Sequence, residues 1–510
     1  MNVGSLLLHW ARHRPDSLAV VCGERRVAHG DHARRVHRSA RALLALGLAP
    51  GDRLALLLGN RIELLELYRA AALLGLVAVP LSPLLLGPAL VALLRDSGSA
   101  AIVTDGASAA LVDSACDALG TIPPARRLLI GVAGAPVGRD WIAMIDAQAD
   151  AAPPESAFDA DHPYNIVYSS GTTGLPKGIV HTHRIRALYG LLFAQRFGID
   201  AGSVVMHGGS LVFNGAFPTL MPAWLTGCPY VLLERFDPAA WIDAVRREHV
   251  THVIVVPSQL AALLHAPGFT PDALGSLRML CSLGAPLPHE HKEQLLNLLP
   301  EGALWELYGL TEGFVTVLDG RELRAHIDSV GTPLAFNAMR VVGPDGADLP
   351  AGEVGEILGR GPLLTPGYWG RPDLTAQAIV DGWLHTGDLG SVDADGYLHL
   401  VDRQKDLIIS GGVNVFPRDI EEVAARHPAV REVAVFGVPD ARWGECPVAA
   451  VVRVQGAHED AGALRDWINA HVGARYQRVR EVLILDELPR NIAGKTLKRE
   501  LRNRYEKRGS

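Results

Sequence analysis

The chain has 510 residues, of which 48% are hydrophobic and 20% charged, with a formal net charge of −7. That balance excludes a disordered chain, and at about 150 residues per domain it gives a prior of roughly three units. The negative field disfavours nucleic acid and anionic membrane surfaces as partners.

In chain order, the N-terminus (Met1-Asn2-Val3-Gly4, then a brief Leu6–Leu8 run) lacks the basic start and long apolar core of a signal peptide. A cytoplasmic location is expected. Arg34–Leu46 has apolar residues at helical spacing and ends in Gly47, as a helix C-cap would. Leu54–Leu58 suits a buried strand, Ile62–Leu74 a helix and Val77–Pro80 a strand. This alternation predicts a parallel sheet covered by helices. Ala147–Ala160, rich in Ala, Pro and acid, reads as a connector. Strand Val253–Val256, helix Gln259–Leu264 and strand Met279–Cys281 repeat the α/β pattern. The longest apolar stretches are too short or too broken for a membrane span.

After about residue 330 turn signals multiply: Pro344-Asp345-Gly346, Asp381-Gly382 and Asp395-Gly396. Short alternating runs between them, Glu356–Leu358 and Tyr397–Val401, predict antiparallel β structure. From about residue 405 a compact α+β unit follows, with helices over Asp419–Ala425 and Leu464–Val472 and strands over Val430–Val438 and Val448–Val454. A domain boundary falls near Lys405. Five scattered cysteines, Cys22, Cys116, Cys228, Cys281 and Cys446, contain no C-x-x-C pair, which argues against a disulfide framework or a zinc site.

Only six of the 48 basic residues are lysine: Lys177, Lys292, Lys405, Lys495, Lys498 and Lys507. A lysine that survives such a bias is a candidate for work that arginine's planar fork cannot do. Lys177 closes the run Ser169-Ser170-Gly171-Thr172-Thr173-Gly174-Leu175-Pro176-Lys177, which follows the apolar Ile166-Val167-Tyr168. Hydroxyls and glycine N–H groups at that density form a concave donor surface for phosphate oxygens. It is not a Walker A loop, because Pro176 stands where the second glycine belongs.

This loop resembles the signature of the adenylate-forming superfamily, which holds acyl- and aryl-CoA synthetases, peptide-synthetase adenylation domains and luciferases. Four further motifs follow in order: Tyr308-Gly309-Leu310-Thr311-Glu312, Thr386-Gly387-Asp388, Asp402-Arg403-Gln404-Lys405 with Ser410-Gly411-Gly412, and Pro489–Lys495. Taken singly, Glu312 reads as a solvated acid, Asp388 as a turn cap and the tail around Lys498 as a solvated helix face. The ordered set carries the functional reading.

The resemblance implies a large N-terminal domain (1–402) of two α/β subdomains plus a distorted β-barrel. A small mobile α+β C-terminal domain (403–510) would pivot at Lys405. It implies ATP-dependent activation of a carboxylate as acyl-AMP, then transfer to CoA, with ATP, Mg²⁺ and CoA required. Ser169, Ser170, Gly171, Thr172, Thr173, Gly174 and Lys177 would grip the leaving phosphates. Gly284-Ala285-Pro286, Tyr308 and Gly309 would form the adenine side. Thr311 would meet the α-phosphate, and Glu312 would hold the metal. Asp388 would accept from the ribose, assisted by Arg403. Lys495 would approach the reacting carboxylate, and Ser410, Gly411 and Gly412 would line the pantetheine path.

The acid pocket is least determined: either His207 or Asn214 matches the family's residue near the carboxylate, with Phe213, Ser282, Gly284 and Gly309 as walls. No Arg, Lys, Asp or Glu lies between His207 and Trp224, which favours an uncharged aryl, alicyclic or medium-chain acid. Departures from the family are small: Arg490-Asn491 replaces Lys-Thr, and Leu283 replaces a glycine of the adenine-side loop. A monomer or homodimer is expected. The rivals are an adenylation enzyme that loads a carrier protein, and a silent nucleotide-binding module.

Overall fold

A computed structural model describes residues 2–132, 139–168, 177–403, 406–410, 413–440, 443–490 and 496–508. Among them the strands form four sheets. The first has six strands in the order Arg127–Ile130, Ala101–Asp105, Arg53–Leu57, Val77–Leu81, Pro163–Tyr168 and Gly178–Thr182. All its pairs are parallel except the last, an antiparallel hairpin. The second has nine strands, with Leu304–Gly309, Met279–Leu283, His252–Val255, Val205–His207, Tyr230–Leu232 and Leu18–Cys22 running parallel at its centre.

Side-chain alternation builds the cores. Leu54 and Leu56 face one cluster, and Ala55 and Leu57 face another. In the second sheet, Val205, Met279 and Cys281 join the same central cluster as Leu54, while Met206 and Leu280 point away from it. The largest core therefore lies between the two sheets. Helices buried nearly all round fill it, which is the expected pattern for a helix covered on every side. One is Ile62–Leu74, where only Leu73 escapes full burial; it ends at Gly75 in the left-handed conformation. The reading of 34–46 misses the true start of its helix, which runs His29–Ala45, because its first turn buries His29 and His32 instead of apolar residues.

The third sheet is antiparallel: Ala338–Val342, Gly355–Arg360, Trp383–Val392, Leu398–Arg403 and the short Ile379–Val380. It forms the curled half-barrel that completes the large N-terminal part. The small C-terminal part is built on the fourth sheet, Val413–Val415, Ile408–Ser410, Gly444–Arg453, Val430–Asp440 and Val482–Leu485, backed by helices Pro417–Ala425, Ala461–His471 and Lys498–Arg508. Among the described residues no helix is long and apolar enough to cross a membrane. All five cysteines are buried and unpaired, and burial pushes the thiols of Cys22, Cys116 and Cys228 up to about 11.

Buried imidazoles mark this core. Burial holds His183 at about 3 and His207 and His252 at about 4, so all three are neutral at pH 7. An unfolded imidazole titrates near 6.5, so below that pH the unfolded chain binds more protons than the native one. The stability from these groups is whole above about pH 6.5 and is lost as pH falls towards 4, by roughly 3 kcal/mol for each group. Urea-unfolding midpoints should drop steadily from pH 7 to 4.5. A flat profile would mean that the native state admits protonated imidazoles.

Candidate active site

A cavity of about 670 Å³ lies where the large and small parts meet. Gly284, Ala285, Pro286, Tyr308 and Gly309 line one side, together with Asp388 and Arg403. Arg418, Glu421, Arg490, Thr496 and Lys498 line the other. On the first side Gly284–Pro286, Tyr308, Gly309 and Arg403 arrive from a strand end or the turn after it, while Arg418, Glu421 and Lys498 on the other arrive from helices. Gly284 follows strand Met279–Leu283 and takes φ +91°, a conformation that suits glycine. Tyr308 is near the end of Leu304–Gly309, and Asp388 is within Trp383–Val392.

The Tyr308 hydroxyl donates to Asp388 Oδ2 at 2.8 Å, and Arg403 Nε approaches Asp388 Oδ1 at 3.2 Å. Asp388 is buried, and burial beside its carboxylate pushes the Tyr308 phenol far above its usual range. The three side chains hold one another in place at the cavity wall, with the carboxylate fixed as an acceptor.

A second group forms at the hairpin that carries the Gly-rich loop. Tyr368 donates to Glu312 Oε1 at 2.9 Å, and Lys177 Nζ stands 4.7 Å from the Tyr368 ring centre. His181 Nε2 donates to the Thr311 carbonyl at 2.9 Å. The segment bearing Tyr368 is stitched to the hairpin by Val180 N–H to the Gly367 carbonyl and Trp369 N–H to the Gly178 carbonyl. Gly178 has no room for a side chain, because a Cβ there would come within 2.8 Å of Ile166 Cγ2. Lys177, Thr311 and Glu312 are thereby brought into one neighbourhood. Ser169, Ser170, Gly171, Thr172, Thr173, Gly174, Lys405, Gly411, Gly412 and Lys495 lie outside the described residues. Ser410 is buried at the end of its strand, paired with Val413 and Gly444.

At the acid-pocket segment the two alternatives differ sharply. His207 ends a buried strand; neither ring nitrogen has a hydrogen-bond partner, and the ring is neutral. Asn214 is half-buried: its Oδ1 accepts from Arg186 Nη1 at 2.9 Å, and its Nδ2 donates to the Tyr189 hydroxyl at 3.3 Å. Phe213 and Leu283 pack against the central core that holds Phe217. Ser282 alternates with Leu283 along its strand and so faces the opposite side of the sheet, with Leu280. The segment 207–224 holds no ionisable side chain other than His207, as its sequence says. The fold nevertheless packs a cation beside it: Arg186, fully buried, comes from helix His183–Phe197.

Sequence reading also passed over the pair Lys292–Glu306, 2.6 Å apart and both buried. Lys292 donates to the Ile327 carbonyl as well, and Glu306 is raised by burial while the Leu287 backbone and Lys292 hold it down. Leu287 follows the Gly284–Pro286 loop, so this pair braces the cavity wall from behind. The scarcity of lysine was the available signal for Lys292. The C-terminal tail departs from a solvated face at Lys498, which is half-buried, 2.7 Å from Glu421, because its helix packs on the sheet beside Asp402. Arg502 and Arg504 pair with Glu445 and Glu500 at the surface.

The chain matches the family described as AMP-binding enzyme over residues 7–369, and the AMP-binding enzyme C-terminal domain over residues 419–495. It belongs to this adenylate-forming family, in the acyl- and aryl-CoA synthetase branch. It is 36% identical to a feruloyl-CoA synthase from an Amycolatopsis species over 99% of both chains. The structure of ATP-bound MatB from Rhodopseudomonas palustris superposes with a TM-score of 0.90 at 29% identity over 100% of both chains. That of o-succinylbenzoate-CoA synthetase from Bacillus subtilis, in complex with its acyl-adenylate, gives 0.86 at 28% identity over 98% of this chain and 97% of that one.

Proposed function

We propose that the protein is an ATP-dependent carboxylic acid–CoA ligase. A substrate carboxylate oxygen attacks the α-phosphorus of ATP, and pyrophosphate leaves. The CoA thiol then attacks the acyl carbon, the acyl–oxygen bond to phosphate breaks, and AMP departs. The observation that carries this reading is the Tyr308–Asp388–Arg403 cluster at the cavity wall. Its fixed carboxylate suits a pair of ribose hydroxyls, and the Tyr308 ring and the Gly284–Pro286 turn suit a flat base.

Negative charge builds on the phosphates during the first step, so the site needs placed donors more than a base. Thr311 and the Ser169–Lys177 loop supply these from the large part, and Lys495 from the small part. A carboxylate nucleophile is already ionised at pH 7, so the first step asks no residue to remove a proton. Glu312 keeps one carboxylate oxygen clear of Tyr368, and no cluster of three or more His, Cys, Asp or Glu among the described residues could cage a metal. That donor set fits Mg²⁺, which binds through one or two carboxylates plus phosphates and water. When bound it would neutralise phosphate charge.

We place the boundary between the two parts at 402/403 and the pivot at Lys405, so that the C-terminal part presents Lys495 in the first step and Ser410-Gly411-Gly412 in the second. Strand Leu398–Arg403, which pairs Arg403 with Asp388 in the sheet of the large part, supports a pivot just beyond Arg403. The cysteine pattern supports a cytoplasmic location.

Purified protein with ATP, Mg²⁺ and CoA should release AMP and acyl-CoA together for one class among aryl, alicyclic and C4–C12 acids. Adenylate formed without acyl-CoA would transfer the reading to a carrier-protein acceptor. No turnover, with ATP still bound, would favour a silent nucleotide-binding module.

A further inference from the structure

Among the described residues the buried cations are Arg69, Arg127, Arg186 and Lys292. Lys292 has Glu306 as its carboxylate, and Arg127 has Asp117. Arg186 has none. No Asp or Glu among the described residues pairs with it, and the remaining residues of the chain include no Asp or Glu. Its Nε donates to Asn165 Oδ1 at 3.1 Å and its Nη1 to Asn214 Oδ1 at 2.9 Å. The guanidinium carbon sits 3.7 Å from the centre of the Phe217 ring. Nη2 finds no hydrogen-bond partner, although the neighbouring Tyr189 hydroxyl favours the charge.

The surroundings repeat this imbalance. Asn165 Nδ2 is also buried without a partner, and Asn214 Nδ2 makes only the 3.3 Å contact with Tyr189. Both amide oxygens are already engaged by the guanidinium, so the spare capacity of the cluster is donors. A buried donor left unmatched is unfavourable, and a buried cation without an anion more so. Arg69, the other buried arginine without a carboxylate, stacks on Trp224 and makes no hydrogen bond to the 207–215 segment.

We propose that Arg186 is a specificity-determining residue, and that the acid this enzyme activates carries an oxygen acceptor on its tail, which completes the guanidinium's hydrogen bonds. The proposal rests on the reading of the Phe213–Phe217 segment as the acid pocket. Phe213 and Leu283 pack against the buried cluster that holds Phe217, so the surroundings of that segment are apolar and suit a tail that is an apolar body with an oxygen upon it. A phenolic or ether oxygen and a second carboxylate share this chemistry.

The test compares pairs that differ at the tail: cinnamic against 4-hydroxycinnamic acid, and hexanoic against adipic acid. Pyrophosphate release would be followed with wild type, Arg186→Met and Arg186→Lys. Wild type should favour the oxygen-bearing member of one pair by about tenfold or more in kcat/KM, as expected for a hydrogen bond to a charged group. The pair that shows the preference identifies the oxygen. Arg186→Met should bring the ratio close to one while still turning over the plain acid, and Arg186→Lys should keep part of the preference. Equal wild-type rates within both pairs would overturn the proposal, whether or not the methionine variant folds. So would a preference that survives in Arg186→Met, or a loss shared equally by both members of a pair. Absence of turnover with every acid would instead remove the ligase reading beneath it, and the proposal with it.

Discussion

Lys495→Ala is expected to cut ATP–pyrophosphate exchange by about 10²–10³-fold, the cost of losing one placed donor to a developing charge. Transfer of a preformed acyl-adenylate to CoA should change only a few-fold. Arg490 and Thr496, which flank residues 491–495 in the sequence, form a β-bridge, and both line the cavity wall. The chain spends 42 of its 48 basic positions on arginine, so a lysine here points to a need for a compact charge. Lys495→Arg should therefore recover little of the lost rate. Equal losses in both half-reactions would assign the lysine a structural role and reject the catalytic one.

Asp388→Ala should lower kcat/KM for ATP by about 10²-fold, mostly through KM, as expected for losing charge-assisted hydrogen bonds. The alanine also strands two partners. The Tyr308 hydroxyl loses a 2.8 Å acceptor, and Arg403 loses its counter-charge at 3.2 Å. Asp388→Asn keeps the shape and one acceptor oxygen, and should fall between the two. Steady-state kinetics at varied ATP, with AMP binding by calorimetry, would check both variants. A lowered melting temperature with unchanged KM for ATP would show that the cluster serves only to join the half-barrel to the nine-stranded sheet.

Local pattern and long-range placement differed in how far the sequence revealed them. Ile62–Leu74 was legible at its full bounds because an apolar run ended at a glycine able to turn left-handed. The strands over 77–80 and 279–281 were legible because unbroken apolar runs bounded by turn residues suit a parallel sheet. The motif residues Tyr308 and Asp388 were legible as a set, and the structure adds that they touch.

What stayed hidden depends on meetings between distant segments. Arg186 lies 28 positions before Asn214, and its contact follows from how helix His183–Phe197 packs. Tyr368 reaches Glu312 from 56 positions away. The resemblance made Ser282 a wall of the acid pocket, and strand alternation puts its side chain on the face of the sheet opposite Leu283. Lys498 looked solvated because its helix is charged nearly throughout, and only the packing of its first turn shows it half-buried against Glu421.

The buried cysteines decide how the second half-reaction can be measured. A thiolate is the species that reacts with a disulfide or a maleimide, and burial both hides these sulfurs and keeps their protons on. The folded protein should thus be silent towards a chromogenic disulfide reagent at pH 7.5, while free CoA reacts at once. The CoA thiol that remains can then be read in aliquots quenched into the reagent as the reaction runs, with no contribution from the native enzyme's own cysteines. The same reagent doubles as a folding monitor: Cys22, Cys228 and Cys281 report opening of the core between the sheets, and Cys446 reports opening of the small part.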